Sequence, residues 1–255
     1  MKITFDDILK ATETLKGNIK KTPTIHASKL GNKLNCKLFL KLECLQLTSS
    51  FKTRGAYIAI KKSTINNPGK GVIAMSAGNH AQAVAFHAKK LNVPATIIMP
   101  EQAPFSKVSR TKDLNAKVIL KGRTLNETND FVNDLAQKNN LTLVHPYDNP
   151  DVIAGQGSIG FEIFEEIKDL DCLVIPIGGG GLISGISIVA KQINPKIKIF
   201  GVESKLYPCM YNIFYNKNLP CAGDTIADGI AVKSPGKLNI PIICKIVDDI
   251  ILVNE

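Results

Sequence analysis

The 255-residue sequence contains no tryptophan, and only 6% of its residues are aromatic. A core of normal density must therefore be filled with Ile, Leu, Val and Ala. No two cysteines form a C-x-x-C pair. Cys36, Cys44, Cys172, Cys209, Cys221 and Cys244 are widely spaced, which argues against a zinc site or a redox dithiol and points to free thiols in a reducing cytoplasm. No metal site is expected. Despite a formal net charge of +10, no run of basic residues exceeds two, and neither zinc-finger spacing nor an aromatic RNA-binding motif occurs, so the excess charge reads as a Lys-rich background rather than a nucleic-acid surface. Charged residues at Asp6, Asp7, Lys10, Glu13 and Lys16 leave no apolar stretch of the signal-peptide kind. The charge-free run from Cys172 to Ala190 has the length of a membrane span. It holds Pro176 and five glycines, four of them consecutive, which make one continuous helix costly. It reads instead as strand, tight loop and helix. No partner of the nucleic-acid or membrane class is expected, and a cytoplasmic location is.

What is present is an alternation of strands and helices. Helices are expected at Phe5 to Leu15 behind a Thr4 cap, Phe51 to Lys62, Asn79 to Leu91, Phe105 to Leu114, Thr124 to Gln137 with its cap near Thr124, Pro150 to Ile167 and Leu182 to Lys191. Strands are expected at Lys37 to Leu42, Val72 to Met75, Ala95 to Met99, Lys117 to Leu120, Thr142 to Val144, Leu173 to Ile177, Lys196 to Val202 and Ile250 to Val253. The strands are short, rich in Val and Ile, and mostly lack polar alternation, which suits parallel sheets covered on both faces by helices. The fold class is α/β. With no Pro/Gly/Ser-rich linker and no repeat, any two domains must be interleaved.

Three stretches carry chemistry. Ser49-Ser50-Phe51-Lys52-Thr53-Arg54-Gly55-Ala56 places a lysine at a helix start beside a phenylalanine and small residues. A desolvated amine there has a lowered pKa and attacks an aldehyde more readily. Ser76-Ala77-Gly78-Asn79-His80-Ala81-Gln82 follows a strand and opens a helix, which offers free N–H groups to an anion. A plain capped helix fits the same residues. Gly178-Gly179-Gly180-Gly181-Leu182 lies between strand and helix, where four glycines let backbone N–H groups close on a phosphate. Ile186 follows Gly185, so a P-loop is absent, and no register supplies the dinucleotide fingerprint. Amine, anion pocket and phosphate loop, all on strand-to-helix turns, together suit a phosphate-bearing aldehyde held covalently on the lysine.

These three motifs, in this order, resemble those of the threonine and serine dehydratases among the tryptophan-synthase-β-like pyridoxal phosphate enzymes. Lys41-Leu42-Glu43 with Gln46, His145-Pro146-Tyr147-Asp148, Gly155-Gln156-Gly157 and Gly201-Val202-Glu203 extend the resemblance from about Thr4 to the end. It implies pyridoxal 5'-phosphate held on Lys52, which then removes the substrate Cα proton. It places Phe51 near the cofactor ring and Asn79 on the ring's 3′-oxygen. Ser76, Gly78, Asn79 and His80 are implied at the substrate carboxylate, partly through backbone N–H groups, and Gly178, Gly179, Gly180, Gly181 and Leu182 at the phosphate. The implied fold is two interleaved three-layer α/β/α domains with mostly parallel sheets, a large one at 1–52 and 149–255 and a small inserted one at 53–148. The implied activity is dehydration and deamination of L-threonine to 2-oxobutanoate and ammonia, with L-serine to pyruvate as a second reaction, in an amino-acid-metabolising homo-oligomer.

Serine racemases resemble the same motifs but tend to carry Ser at the place of Ala77, a second acid/base on the opposite face of the substrate. A methyl group carries no proton, so Ala77 favours elimination. The resembling enzymes also continue past the position of Glu255, where a Ser-Gly-Gly-Asn-like stretch contacts the pyridine nitrogen. That stretch has no counterpart in these residues, and a remnant that folds or binds cofactor without turnover is the rival reading. Some relatives hold a cation near the residue matching Glu203. One carboxylate makes no site.

Overall fold

A computed structural model describes residues 3–122 and 125–255. The chain opens on α1 (Phe5–Leu15), where Thr4 and Asp7 form a reciprocal capping box. A short strand, β1 (Thr24–His26), and a helix, α2 (Ser28–Leu34), precede β2 (Phe39–Lys41). β1 and β2 pair antiparallel with Ile25 opposite Leu40, an element absent from the expectation of one longer strand at Lys37 to Leu42. Two single 3₁₀ turns then lead to α3 (Lys52–Asn66).

The next elements alternate: β3 (Val72–Met75), α4 (Asn79–Lys90), β4 (Ala95–Met99), α5 (Phe105–Lys112), β5 (Lys117–Leu120), α6 (Leu125–Lys138) and β6 (Thr142–Leu143). Their strands form one parallel sheet in the order β5-β4-β3-β6. The cap expected at Thr124 lies outside the described residues. After α7 (Pro150–Glu166) come β7 (Cys172–Pro176), α8 (Gly181–Ile193), β8 (Lys198–Ser204), α9 (Cys209–Phe214), α10 (Asn239–Ile246) and β9 (Asp249–Val253). Their strands make a second parallel sheet, β7-β8-β9. The α/β class with parallel sheets is thus the observed one, and no described helix is long and apolar enough to cross a membrane.

The charge-free run resolves into β7, the glycine loop and α8. Leu173, Ile175, Ile199 and Ile250 turn one sheet face into a core with Ile183, Ile186, Met210 and Ile243. The other face is uncovered. Val174 is 65% and Ile251 45% exposed, and the register places Val174 beside Phe200 and Ile251 beside Val202 on that side. Cover on both faces, expected from the apolar strands, is therefore not supplied to this sheet by the described residues.

α7 is the central helix, packed against α3 on one side and α8 on the other. Glycine permits both approaches: a Cβ on Gly155 would stand 2.6 Å from the Gly55 Cα, and one on Gly157 3.0 Å from the Gly185 carbonyl. The α3–α7 crossing fixes the helix that begins with Lys52.

Candidate active site

The route into Lys52 is unusual. Thr48 (φ 58°) and Ser49 (φ 55°) are consecutive left-handed residues without being glycine, a conformation that costs roughly 1–2 kcal/mol for an L-residue. Ser49→Gly is expected to raise the urea midpoint by the equivalent of up to about 1 kcal/mol, after the entropy that glycine adds to the unfolded chain is subtracted. A lower midpoint would mean that the serine side chain contributes more than its backbone costs.

Lys52 is the first residue of α3, behind Phe51. Its Nζ donates to the Pro146 carbonyl at 2.8 Å and lies 5.3 Å from the Phe51 ring centroid and 6.0 Å from that of Tyr147. Burial pushes its pKa down from 10.5 to about 8. At pH 7 about a tenth of this amine carries a free electron pair, far more than of an ordinary lysine.

The Ser76 segment forms the turn between β3 and α4. The Gly78 N–H donates to Ser76 Oγ at 3.1 Å. α4 has no side-chain cap, and the N–H groups of Asn79, His80 and Ala81 have no acceptor among the described residues, the first helical bond being Gln82 N–H to Gly78 O. Asn79 is exposed. The His80 ring is buried and turned the other way, with Nε2 2.8 Å from the Val144 carbonyl, so what this residue offers an anion at the helix start is its backbone N–H.

Burial, with the nearby charges of Lys52 and His145, lowers the His80 pKa to about 3. Burial likewise lowers that of His87 to about 4, where Nε2 meets Thr53 Oγ1 at 2.6 Å. Both rings are neutral in the native state. Between the native values and the unfolded 6.5, the unfolded chain binds more protons, so stability falls as pH drops through this window. Acidification from pH 6.5 to about 4 is expected to cost a few kcal/mol, and His87→Gln is expected to reduce that loss in urea titrations at the two pH values. An unchanged pH dependence would remove His87 from the account.

The glycine loop follows β7. Gly180 is left-handed at φ 93°, and the N–H groups of Gly178 through Ile183 have no partner among the described residues. They make a concave donor array at the start of α8, suited to an anion. Leu182 packs on the apolar core beneath.

One segment links the three motifs. Leaving β6, Val144 meets His80, Pro146 meets Lys52, and the Tyr147 ring lies against Gly179, where any Cβ would collide with it. Asp148 and Tyr147 both donate backbone N–H groups to His145 Nδ1, at 2.8 and 3.4 Å, which keeps that nitrogen unprotonated. His145 to Asp148 carry the family resemblance in the sequence, but this linking role is not legible there. The signal available was a strand ending beside His-Pro, at the carboxyl edge where α/β ligands gather. The segment around Ile230, Val232, Gly236 and Asn239, which closes over Gly178 to Gly180, had no pattern to betray it.

Glu203, on β8 beneath this loop, is buried and accepts from the backbone N–H groups of Met210 and Tyr211 and from the Cys209 thiol. Among the described residues no group of three or more His, Cys, Asp or Glu could hold a metal ion.

A model of the family described as "Pyridoxal-phosphate dependent enzyme" matches residues 15–255. The chain is 43% identical to an L-threonine ammonia-lyase of Thermotoga maritima over 99% of its own length and 64% of that protein's. It is 45% identical to L-threonine dehydratase catabolic TdcB of Staphylococcus aureus, over 99% of its own length and 74% of the relative's. Among solved structures, serine racemase from Dictyostelium discoideum superposes with a TM-score of 0.92 at 36% identity, covering 99% of this chain and 82% of that one. Matched over residues 15–255 by that model and at 43% and 45% identity by the first two relatives, the chain belongs to the family of pyridoxal-phosphate dependent enzymes.

Proposed function

We propose that this chain carries the catalytic machinery of an ammonia-lyase that dehydrates and deaminates L-threonine to 2-oxobutanoate and ammonia. The observation that carries the reading is the buried Lys52 amine, with its pKa near 8, connected through Pro146 and Tyr147 to the glycine loop and its unpartnered N–H groups. Those groups fit a phosphate, and the amine fits an aldehyde. The relatives named for L-threonine supply the substrate.

Bound pyridoxal phosphate would supply the electron sink that stabilises negative charge at the substrate Cα. Gly178 to Leu182 would hold its phosphate, Phe51 would pack beside its ring, and the Asn79 amide would reach its 3′-oxygen. Ser76, Gly78, Asn79 and His80 would hold the substrate carboxylate, His80 through its backbone N–H. Lys52 Nζ would accept the Cα proton, and its lowered pKa suits a base working near neutral pH. The β-hydroxyl would leave as water, protonated by a nearby acid, and hydrolysis of the released enamine would give 2-oxobutanoate and ammonia. Ala77 packs its methyl on the core beside the turn and offers no proton on the opposite face, which favours elimination over racemisation. We also place the first parallel sheet in a small domain at 53–148, inserted into a large one at 1–52 and 149–255.

The test is an absorption spectrum of the purified protein with pyridoxal phosphate, before and after L-threonine, with assays for 2-oxobutanoate and for D-allothreonine, the product of inversion at Cα alone. A visible band that shifts on threonine addition and is followed by keto acid is the expected result. No band in folded protein would overturn the cofactor reading. A band with D-allothreonine and no keto acid would overturn elimination.

A further inference from the structure

Asn239 stands at the first position of α10, fully buried, and belongs to none of the motifs above. Its Nδ2 donates to two carbonyls from distant parts of the chain, Gly179 O at 2.8 Å and Tyr147 O at 3.0 Å. The Gly179 carbonyl also receives the Gly236 N–H at 3.0 Å. Two donors therefore fix the direction of one peptide group inside the glycine loop.

A trans peptide is planar, and its C=O and N–H point in opposite directions. Pinning the Gly179 carbonyl toward Asn239 turns the Gly180 N–H to the far side of the loop, among the other unpartnered N–H groups. A four-glycine loop has ample freedom to flip that peptide, and in the flipped state a carbonyl oxygen would face the incoming anion. The space supports the same arrangement: a Cβ on Gly180 would stand 2.9 Å from the Asn239 Cβ, so the loop is seated directly on this side chain. Because the second Nδ2 bond reaches Tyr147, whose neighbour Pro146 receives the Lys52 amine, the same amide ties the anion loop to the segment beside the lysine.

We propose that Asn239 is a positioning residue: it holds the Gly179–Gly180 peptide in the orientation that presents N–H, not C=O, to a phosphate. This deepens the reading above, in which the loop takes the cofactor phosphate.

The test separates phosphate recognition from folding. The full chain is titrated with pyridoxal phosphate and with pyridoxal, which has the same aldehyde and no phosphate, and the absorbance of the lysine adduct is followed. In Asn239→Ala, affinity for the phosphate-bearing aldehyde is expected to fall about tenfold or more, the scale of one lost charge-assisted hydrogen bond, while affinity for pyridoxal is unchanged. Equal losses for both aldehydes, or no loss for either, overturn the proposal. Asn239→Asp keeps the shape but has no N–H to donate, and it answers the same question if the alanine variant does not fold. Inorganic phosphate alone distinguishes this proposal from the cofactor reading. It is expected to raise the Tm of the wild type and not that of Asn239→Asp. No shift in the wild type, or equal shifts in both, overturns the role of Asn239. A wild type that takes phosphate but captures no aldehyde sinks the cofactor reading, and a shift lost in Asn239→Asp then still supports Asn239.

Discussion

Lys52→Met is expected to abolish capture of pyridoxal phosphate, to lower keto-acid formation from L-threonine by at least about 10³-fold, and at the same time to leave a more stable cofactor-free protein. Methionine keeps most of the buried stem and removes the amine. Burial lowers the Lys52 pKa from 10.5 to about 8. Between those values the unfolded chain holds more protons than the native one, so stability rises with pH across the window, and below about pH 8 the native state bears the whole penalty. The variant lacks that penalty. Its advantage is expected to be greatest below pH 8, up to about 3 kcal/mol less the cost of leaving the Pro146 carbonyl unpaired, and to vanish above about pH 10.5. Urea midpoints at pH 7 and 10.5, read beside the absorption spectrum, check both halves. A variant that loses turnover but is less stable at both pH values would show that Lys52 is held by packing that methionine does not reproduce, and that desolvation is not what tunes the amine.

How far the sequence foretold this arrangement depends on the range of the interactions involved. Thr4 with Asp7, three residues on, marks the start of α1 because capping is a local bond. β3, β4 and β5 fall where their runs of Val, Ile and Ala lie between turn residues. β1, α2, α9 and α10 are short and take their shape from neighbours distant in sequence, which leaves little local pattern to read. The uncovered face of the β7-β8-β9 sheet escaped for another reason: Val174, Phe200, Val202 and Ile251 are as apolar as residues that are covered. In the site, the start of α3 and the glycine loop were legible as turn chemistry. The thread from Val144 to Tyr147 and the brace at Asn239 were not, since Lys52 meets Pro146 across 94 residues and Asn239 meets Gly179 across 60. No local pattern encodes such pairs.

Two residues beyond Lys52, Arg54 is expected to dominate the stability of the region around the site. It is fully buried, and all five of its guanidinium N–H donors are engaged. Nε and Nη2 donate to the two oxygens of Glu43 at 2.8 and 2.7 Å, Nη1 and Nη2 to those of Glu162 at 2.6 and 2.9 Å, and Nη1 also to Ser158 Oγ at 3.1 Å. Desolvation works against the charge, but the hydrogen bonds to both carboxylates outweigh it and raise the arginine's pKa. Lys41 completes the cluster at 2.9 Å from Glu162. The clamp joins the start of α3 to the turn after β2 and to α7, the elements that fix where Lys52 stands. Removing Arg54 leaves the mostly buried Glu43 and Glu162 with Lys41 as the cation that remains on Glu162, so Arg54→Met is expected to cost about 3–5 kcal/mol. Lysine has three donors on a flexible stem and does not match two bidentate carboxylates, so Arg54→Lys is expected to recover less than half of that loss. Neutralising a carboxylate as well, in Arg54→Met with Glu162→Gln, is expected to be less destabilising than the sum of the two single changes, because the second removes part of the uncompensated charge left by the first. Urea unfolding of the four proteins in that cycle measures the coupling. Additive losses would mean that Arg54 contributes through its packing alone, and that the ion cluster beneath α3 is incidental to how the lysine is held.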